Sequence, residues 1–291
     1  MKKENYGGQA LIEGVMMRGP KASAVAVRRP DGKIVTEKKD GLPWMKLNFF
    51  FGLPFVRGII NLAEMLTLGI SSLMRSAEIS LGEEPPTRTE TWFSVGIAVV
   101  IAVLLFIAAP AFVFSKVKSS IGNVILLNVI EGAMRITIFI AYILFASLMP
   151  EMKRVFEYHG AEHKVIHTYE KTEDFNLDKL TVRAVKGETT LHPSCGTSFI
   201  FIVLIVSIFI FSFLGRPSFL QRILLKISLL PLIVGVSYEI IRATRKKGSS
   251  IILKALVSPG LLFQKITTRE PSDDQIEVAI ESFRSAYAEE E

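Results

Sequence analysis

Trp-Phe-Ser-Val-Gly-Ile-Ala-Val-Val-Ile-Ala-Val-Leu-Leu-Phe-Ile-Ala-Ala-Pro-Ala-Phe-Val-Phe, residues 92–114, contains no charged side chain. As a helix it is long enough to cross a hydrocarbon core of roughly 30 Å. Water offers such a run no face to turn outward, so it defines a membrane protein. Three further runs extend the pattern. Asn123–Met149 carries Glu131 and Arg135 inside it, and Phe199–Leu214 is wholly apolar apart from serines. Phe219–Ile241 has Lys226 near one end, Pro231 inside and Glu239 near the other. Nearly half of the 291 residues are apolar, which excludes an ordinary water-soluble domain.

The segment 49–74 is apolar but interrupted by Gly52, Pro54, Arg57, Gly58, Asn61 and Glu64. The distribution of positive charge decides how to count it. Lys and Arg concentrate in 1–48, 150–198 and 242–291, whereas the connections 115–122 and 215–218 hold only Lys116, Lys118 and Arg216. Four spans place all three basic regions on one side, which the positive-inside rule makes the cytoplasm. A fifth span would split them. Residues 49–74 are therefore expected to be a re-entrant or interfacial helix, covered by protein where its backbone is broken.

The predicted architecture is a mainly α, polytopic membrane protein with four transmembrane helices. An N-terminal cytoplasmic segment (1–48) precedes the re-entrant helix (49–74) and a first helix pair (92–149). A cytoplasmic loop (150–198), a second pair (199–241) and a cytoplasmic tail (242–291) follow. Met1-Lys-Lys-Glu continues through Gly7, Gly8 and Glu13 without an apolar core, so no cleavable signal is expected. Both termini are placed in the cytoplasm, at a bacterial inner membrane.

Within the N-terminal segment, residues 7–19 hold four glycines and suggest a tight backbone path. Residues 22–38 alternate Val25 and Val27 with small side chains, then turn at Pro30-Asp31-Gly32, the pattern of a β-hairpin. In the tail, Ser272 and Gln275 form a capping-box pattern. Ile276, Ala279, Ile280, Phe283 and Tyr287 make one stripe of an amphipathic helix expected to dock on the cytoplasmic part. The basic run Arg242–Lys247 suits anionic head groups or a plain anchor. The lipid bilayer is the expected partner, and no nucleic-acid partner is expected.

All four histidines and the sole cysteine lie between Glu157 and Cys195. One cysteine excludes an internal disulfide and fits a reducing compartment. Met152, Val155, Phe156, His159, His163 and Ile166 recur at helical spacing, with His167 one turn further on, so a helix would line up three imidazoles. Gly160 weakens that helix by about 1 kcal/mol relative to alanine, leaving room for a break near His159. Two imidazoles four residues apart can chelate one ion. His159-Gly-Ala-Glu162-His163 also has the His-x-x-Glu-His order of inverted zincins, in which the glutamate is the general base. His192 and Cys195 add an imidazole and a thiolate, a strong zinc ligand.

The candidate ligands are thus His159, His163, His167, His192 and Cys195, with zinc as the cofactor and Glu162 as the catalytic base. Separately, Glu131 and Arg135 stand four apart within a span, where each unpaired charge costs roughly 3 kcal/mol. Arg57, Asn61 and Glu64 share one edge of the 49–74 helix and are expected to partner them.

Several motifs carry a resemblance: residues 7–19, 157–164, His-Pro-Ser-Cys-Gly-Thr-Ser-Phe (192–199), Thr-Thr-Arg-Glu-Pro (267–271) and Gln-Ile-Glu-Val-Ala (275–279). Together they resemble the YqhQ-like family of bacterial integral membrane proteins, a domain of unknown function, over nearly the whole chain. The resemblance implies a membrane protein, sometimes labelled metal-dependent, and assigns no role to any residue. Three functions stay open on the residues: a metal-dependent hydrolase, a non-enzymatic scaffold or assembly factor with a structural zinc site or polar cluster, and a small transporter.

Overall fold

The computed structural model describes residues 4–82, 87–244 and 250–287. Four antiparallel strands open the chain: β1 (Gly7–Leu11), β2 (Gly14–Arg18), β3 (Ala22–Arg28) and β4 (Ile34–Asp40), paired in that order. The expected hairpin is β3–β4, turned by Gly32 at φ 84°. The glycine-rich stretch before it is a second hairpin rather than an irregular path. Its tight turn holds Glu13 at φ 51°, an uncommon conformation for a side-chain-bearing residue. Its carboxylate is held by Arg154 and by Tyr158 at 3.2 Å.

Helices supply the rest: α1 (Trp44–Leu47), α2 (Val56–Leu81), α3 (Arg88–Val103), α4 (Ala109–Val117), α5 (Val124–Ala146), α6 (Pro150–Lys171), α7 (Val182–Lys186), α8 (Gly196–Phe211), α9 (Phe219–Thr244), α10 (Ile251–Thr267) and α11 (Asp273–Ala286). A π-turn at Leu104–Ala108 joins α3 to α4 in one continuous rod. Among the described residues, five helices are long and apolar enough to cross a membrane: α2, the α3–α4 rod, α5, α8 with its last turn, and α9. Arg242 lies in the last turn of α9; Arg245, Lys246 and Lys247, the rest of that basic run, lie outside the described residues.

The helix expected over 49–74 differs in extent. It begins at Val56 and runs unbroken to Leu81, capped by Gly82 at φ 67°. Its buried positions are small or polar (Gly58, Glu64, Gly69, Ser72, Ser76, Ser80), and its glycines allow close approach, Gly58 to α9 and Gly69 to the sheet. Glu64 meets Arg18 of β2, Gly69 faces Gln9 of β1, and Arg75 reaches Glu37 of β4 at 2.9 Å. Arg57, at its start, pairs with Glu239 of α9 at 2.7 Å. Neither Arg57 nor Glu64 therefore partners Glu131 or Arg135, contrary to the expectation from sequence. Asn61 is half-buried on the same helix.

One core unites the sheet, α6, α7 and α11. α11 packs between the sheet and α6, and its stripe buries Ile276, Ala279, Ile280 and Phe283 beside Val15, Ala24, Tyr158, Val165 and Leu180. The predicted capping box at Ser272 and Gln275 is formed. The stripe docks on the sheet domain as expected.

Inside the apolar bundle, Glu131 is met by three cations. Arg135 reaches its Oε1 at 3.3 Å and Arg222 its Oε2 at 3.0 Å, and Lys226 also contacts Oε1. All four side chains are buried. Arg222 also bonds Asn128 and lies 3.4 Å over the Phe114 ring. Pro110 lacks the N–H that would complete a helical bond to the Phe106 carbonyl, and Arg135 Nε donates to that carbonyl instead, at 2.9 Å. Removing one member of a buried ion group leaves its partners uncompensated and costs about 3–5 kcal/mol. Glu131→Leu, which strands three cations, is therefore expected to reduce membrane accumulation and detergent melting temperature more than Arg135→Leu. The double variant Glu131→Leu/Arg135→Leu is expected to remain impaired, because Arg222 and Lys226 stay unpaired. Quantitative immunoblotting of membranes and thermal melts check both; full recovery in the double variant would dismiss this grouping.

Candidate metal centre

α6 starts with Pro150 in its first turn and Glu151 beside it, both suited to a helix N-terminus. It then runs to Lys171 without a break. Gly160 does not interrupt it. The chain after α10 crosses the helix there, with Arg269 N donating to the Phe156 carbonyl at 2.9 Å. A Cβ on residue 160 would sit 2.0 Å from the Arg269 carbonyl oxygen. Glycine is thus required by the close approach of two backbones. One face of α6 enters the domain core through Tyr158, Ala161, Val165 and Tyr169. His159, His163 and His167 line another edge.

Cys195 caps the N-terminus of α8, its sulfur accepting from Thr197 N. This brings the thiol to the imidazoles. His159, His163 and Cys195 each offer a donor atom, all within 4.8 Å of one another. The His159 Nε2–Cys195 Sγ distance is 3.2 Å. The outer nitrogens are committed elsewhere. His159 Nδ1 meets the Thr267 carbonyl at 2.8 Å and His163 Nδ1 the Thr190 carbonyl at 2.5 Å. A carbonyl only accepts, so each Nδ1 carries the proton and each Nε2 is left with its lone pair. Carbonyl-oriented imidazoles are the usual second shell of metal-binding histidines. Burial pushes the His163 pKa down, with Cys195 opposing the shift, which keeps the ring neutral and able to ligate.

Glu162 is buried beside this triad, its carboxylate 4.0 Å from His159 Nε2 and bonded by the Gly8 N–H. Burial raises its pKa, against the pull of His159 and His192. A Cβ on residue 8 would fall 2.9 Å from Glu162 Cγ and 2.6 Å from the Met16 carbonyl. The glycine-rich N-terminal motif therefore builds the wall against which Glu162 rests.

The other two histidines do not join this set. His167, Glu170 and His192 form a second triad, again with donor atoms within 4.8 Å of one another. His167 Nε2 bonds the Leu191 carbonyl at 2.8 Å, and His192 Nε2 lies 3.1 Å from Glu170 Oε2. The main chain of His192 is clamped by Gln264, which accepts from its N–H and donates to its carbonyl, both at 2.8 Å. The expected set was His159, His163 and Cys195 with His192 or His167 completing the shell; His159, His163 and Cys195 do come together, whereas His167 and His192 group with Glu170 instead. Reasoning from the sequence also missed Glu170, although it stands three residues after His167 on the same helix. Gln264 and the carbonyls of Thr190, Leu191 and Thr267 give no sequence signal of this role.

These features define a helical membrane protein carrying a His/Cys/Glu cluster where its sheet-containing domain meets the apolar bundle. Residues 53–289 match the family described as "Protein of unknown function (DUF1385)", and the chain belongs to that family. It is similar to "Uncharacterized protein YqhQ" of Bacillus subtilis (strain 168), 36% identical over 294 residues covering 96% of this chain and 91% of that protein. No solved structure matches it.

Gly160→Ala is expected to destabilise by about 1–3 kcal/mol, because the new methyl group overpacks against the Arg269 backbone. Gly187→Ala, where the nearest atom is 3.8 Å away, is expected to be silent. Thermal melts of the two variants in detergent measure the contrast, and equal melting would show that the crossing at Gly160 is not this close.

Proposed function

We propose that the protein is a metal-dependent membrane enzyme of hydrolytic type, its ion held by His159, His163 and Cys195 on the cytoplasmic face. The observation that carries this is the paired orientation of the imidazoles: both Nδ1 atoms face backbone carbonyls and both Nε2 atoms turn toward one thiol. Two imidazoles and a thiolate suit zinc, and three protein ligands are the donor count of catalytic zinc sites. When bound, such an ion supplies Lewis acidity to a water or to a carbonyl or phosphoryl oxygen. Glu162 serves as general base: it takes a proton from the attacking water and returns it to the leaving group. Its seat against Gly8 keeps the carboxylate beside the donor atoms.

The cytoplasmic placement rests on parity and charge. The sheet, α6 and α11 share a core, so the chain must cross the bilayer an even number of times between β4 and α6. Three long apolar helices, α2, the α3–α4 rod and α5, lie in that interval. α2 touches the sheet from Glu64 to Arg75, which favours a course along the membrane surface rather than through it. The α3–α4 rod with α5, and α8 with α9, then make four crossings. The basic segments fall on the cytoplasmic side, that of both termini, in a bacterial inner membrane. In a Cys195→Ser background, Leu81→Cys is expected to react with impermeant thiol reagents only from the cytoplasm, and Gly122→Cys only from outside. External labelling at residue 81 would make α2 a span.

A structural zinc site is the second reading, favoured by the burial of His163 and Glu162. Full-length protein purified in detergent should contain zinc or another transition metal, and Cys195→Ala or His163→Ala should remove it and lower thermal stability. Adding azide to cobalt-substituted protein separates the readings. A shift of the cobalt absorption reports an open coordination position and the enzyme; an unchanged spectrum reports a closed, structural site. Fully stable, metal-free native protein would rule out both.

A further inference from the structure

We propose that His167, Glu170 and His192 form a second divalent-metal site, so that each chain holds two neighbouring ions. The inference rests on the metal reading of the first triad and extends it. Two imidazoles and a carboxylate are a recurrent zinc donor set, and here their donor atoms lie within 4.8 Å of one another. Two of the three are fixed in place. His167 is held through Nε2 by the Leu191 carbonyl, which leaves its lone pair on Nδ1. The His192 main chain is gripped on both sides by Gln264.

The proton balance is straightforward. Ser194 N–H donates to His192 Nδ1 at 3.3 Å, so the proton between His192 Nε2 and Glu170 Oε2 belongs to the imidazole. A metal ion takes the place of that proton, which is released to solvent. No backbone bond has to break.

The two triads occupy successive turns of α6, and the rings of His163 and His192 are 5.7 Å apart between centroids. They differ in chemistry and access. The first has the thiolate and lies deeper, whereas the Glu170 side chain of the second is 48% exposed. A site of nitrogen and oxygen donors, open to water on one side, suits an exchangeable ion of borderline hardness such as zinc, manganese or ferrous iron.

Cobalt(II) titration of chelator-stripped, full-length protein in detergent tests the proposal. The expected wild-type result is two equivalents bound, with thiolate-to-cobalt charge-transfer absorption accompanying only one. His167→Gln/Glu170→Gln should bind one equivalent and keep the charge-transfer band; Cys195→Ser should lose the band and keep at least one equivalent. Glu170→Gln alone, at a half-exposed position where the amide oxygen can still accept from His192, should weaken the second equivalent at least tenfold while the metal-free protein stays folded. One equivalent in the wild type, unaffected by Glu170→Gln, would overturn the second site and leave the first standing. No bound cobalt in well-folded wild-type protein would overturn both.

Discussion

The packing of α11 between the sheet and α6 is the constraint on which the molecule depends. Phe283, Ile276 and Ala279 are fully buried there, against residues drawn from the first thirty and from the middle of the chain. A fully buried side chain of this size is worth about 1.5–3 kcal/mol, so a handful of them hold three distant segments together. Once those segments share a core they share a side of the membrane, and the helices between them must cross in pairs.

That core also explains where the cluster lies. Its members come from three parts that meet only after assembly: the imidazoles of α6 within the domain, Cys195 at the foot of α8, and the Thr267 carbonyl at the end of α10 that orients His159. Gln264 of α10 fastens the His192 loop, and Gly260 lets α10 approach Ser198 so closely that a Cβ would lie 2.7 Å from its Cα. The domain and the bundle are thereby joined through polar groups that hydrogen-bond one another. Buried polar groups left unpaired would each cost about 1–3 kcal/mol, so the seam specifies its own geometry.

Much of this was legible in the sequence, for identifiable reasons. The apolar runs, the α11 stripe with its capping box and the hairpin at Pro30-Asp31-Gly32 each have a strong local pattern. The first hairpin was not legible, because its turn at Ile12-Glu13 lacks the Asn-Gly type of signal, while Gly8 and Gly14 serve contacts with α6 and β3. α2 looked broken because its small and polar residues read as interruptions, whereas Arg57 and Gly58 meet α9 and Glu64 meets the sheet. Arg222 and Lys226 stood near a span end, where basic side chains ordinarily reach toward head groups. Only the tertiary fold shows them turned inward to Glu131. His159, His163 and Cys195 could be singled out by composition, but the division into two triads depends on the path of the loop before α8, which no periodicity encodes.

The inward turn of those cations bears on why the bundle tolerates a π-turn. A continuous α-helix through Leu104–Ala108 would satisfy its own carbonyls and offer Arg135 nothing. Pro110 withholds one donor, the local winding loosens, and the Phe106 carbonyl becomes an acceptor for a guanidinium from α5. Further charge is spread over aromatic faces, with Arg222 against Phe114 and both Arg135 and Lys226 within about 5 Å of Phe211. One carboxylate cannot compensate three cations by itself. A freed carbonyl, an asparagine, a serine and two rings share the task, and they draw α4, α5, α8 and α9 together at the end of the bundle away from the domain. The rigid polar knot at that end and the hydrogen-bonded seam at the other then fix the bundle at both ends, which keeps Cys195 in register with the histidines of α6.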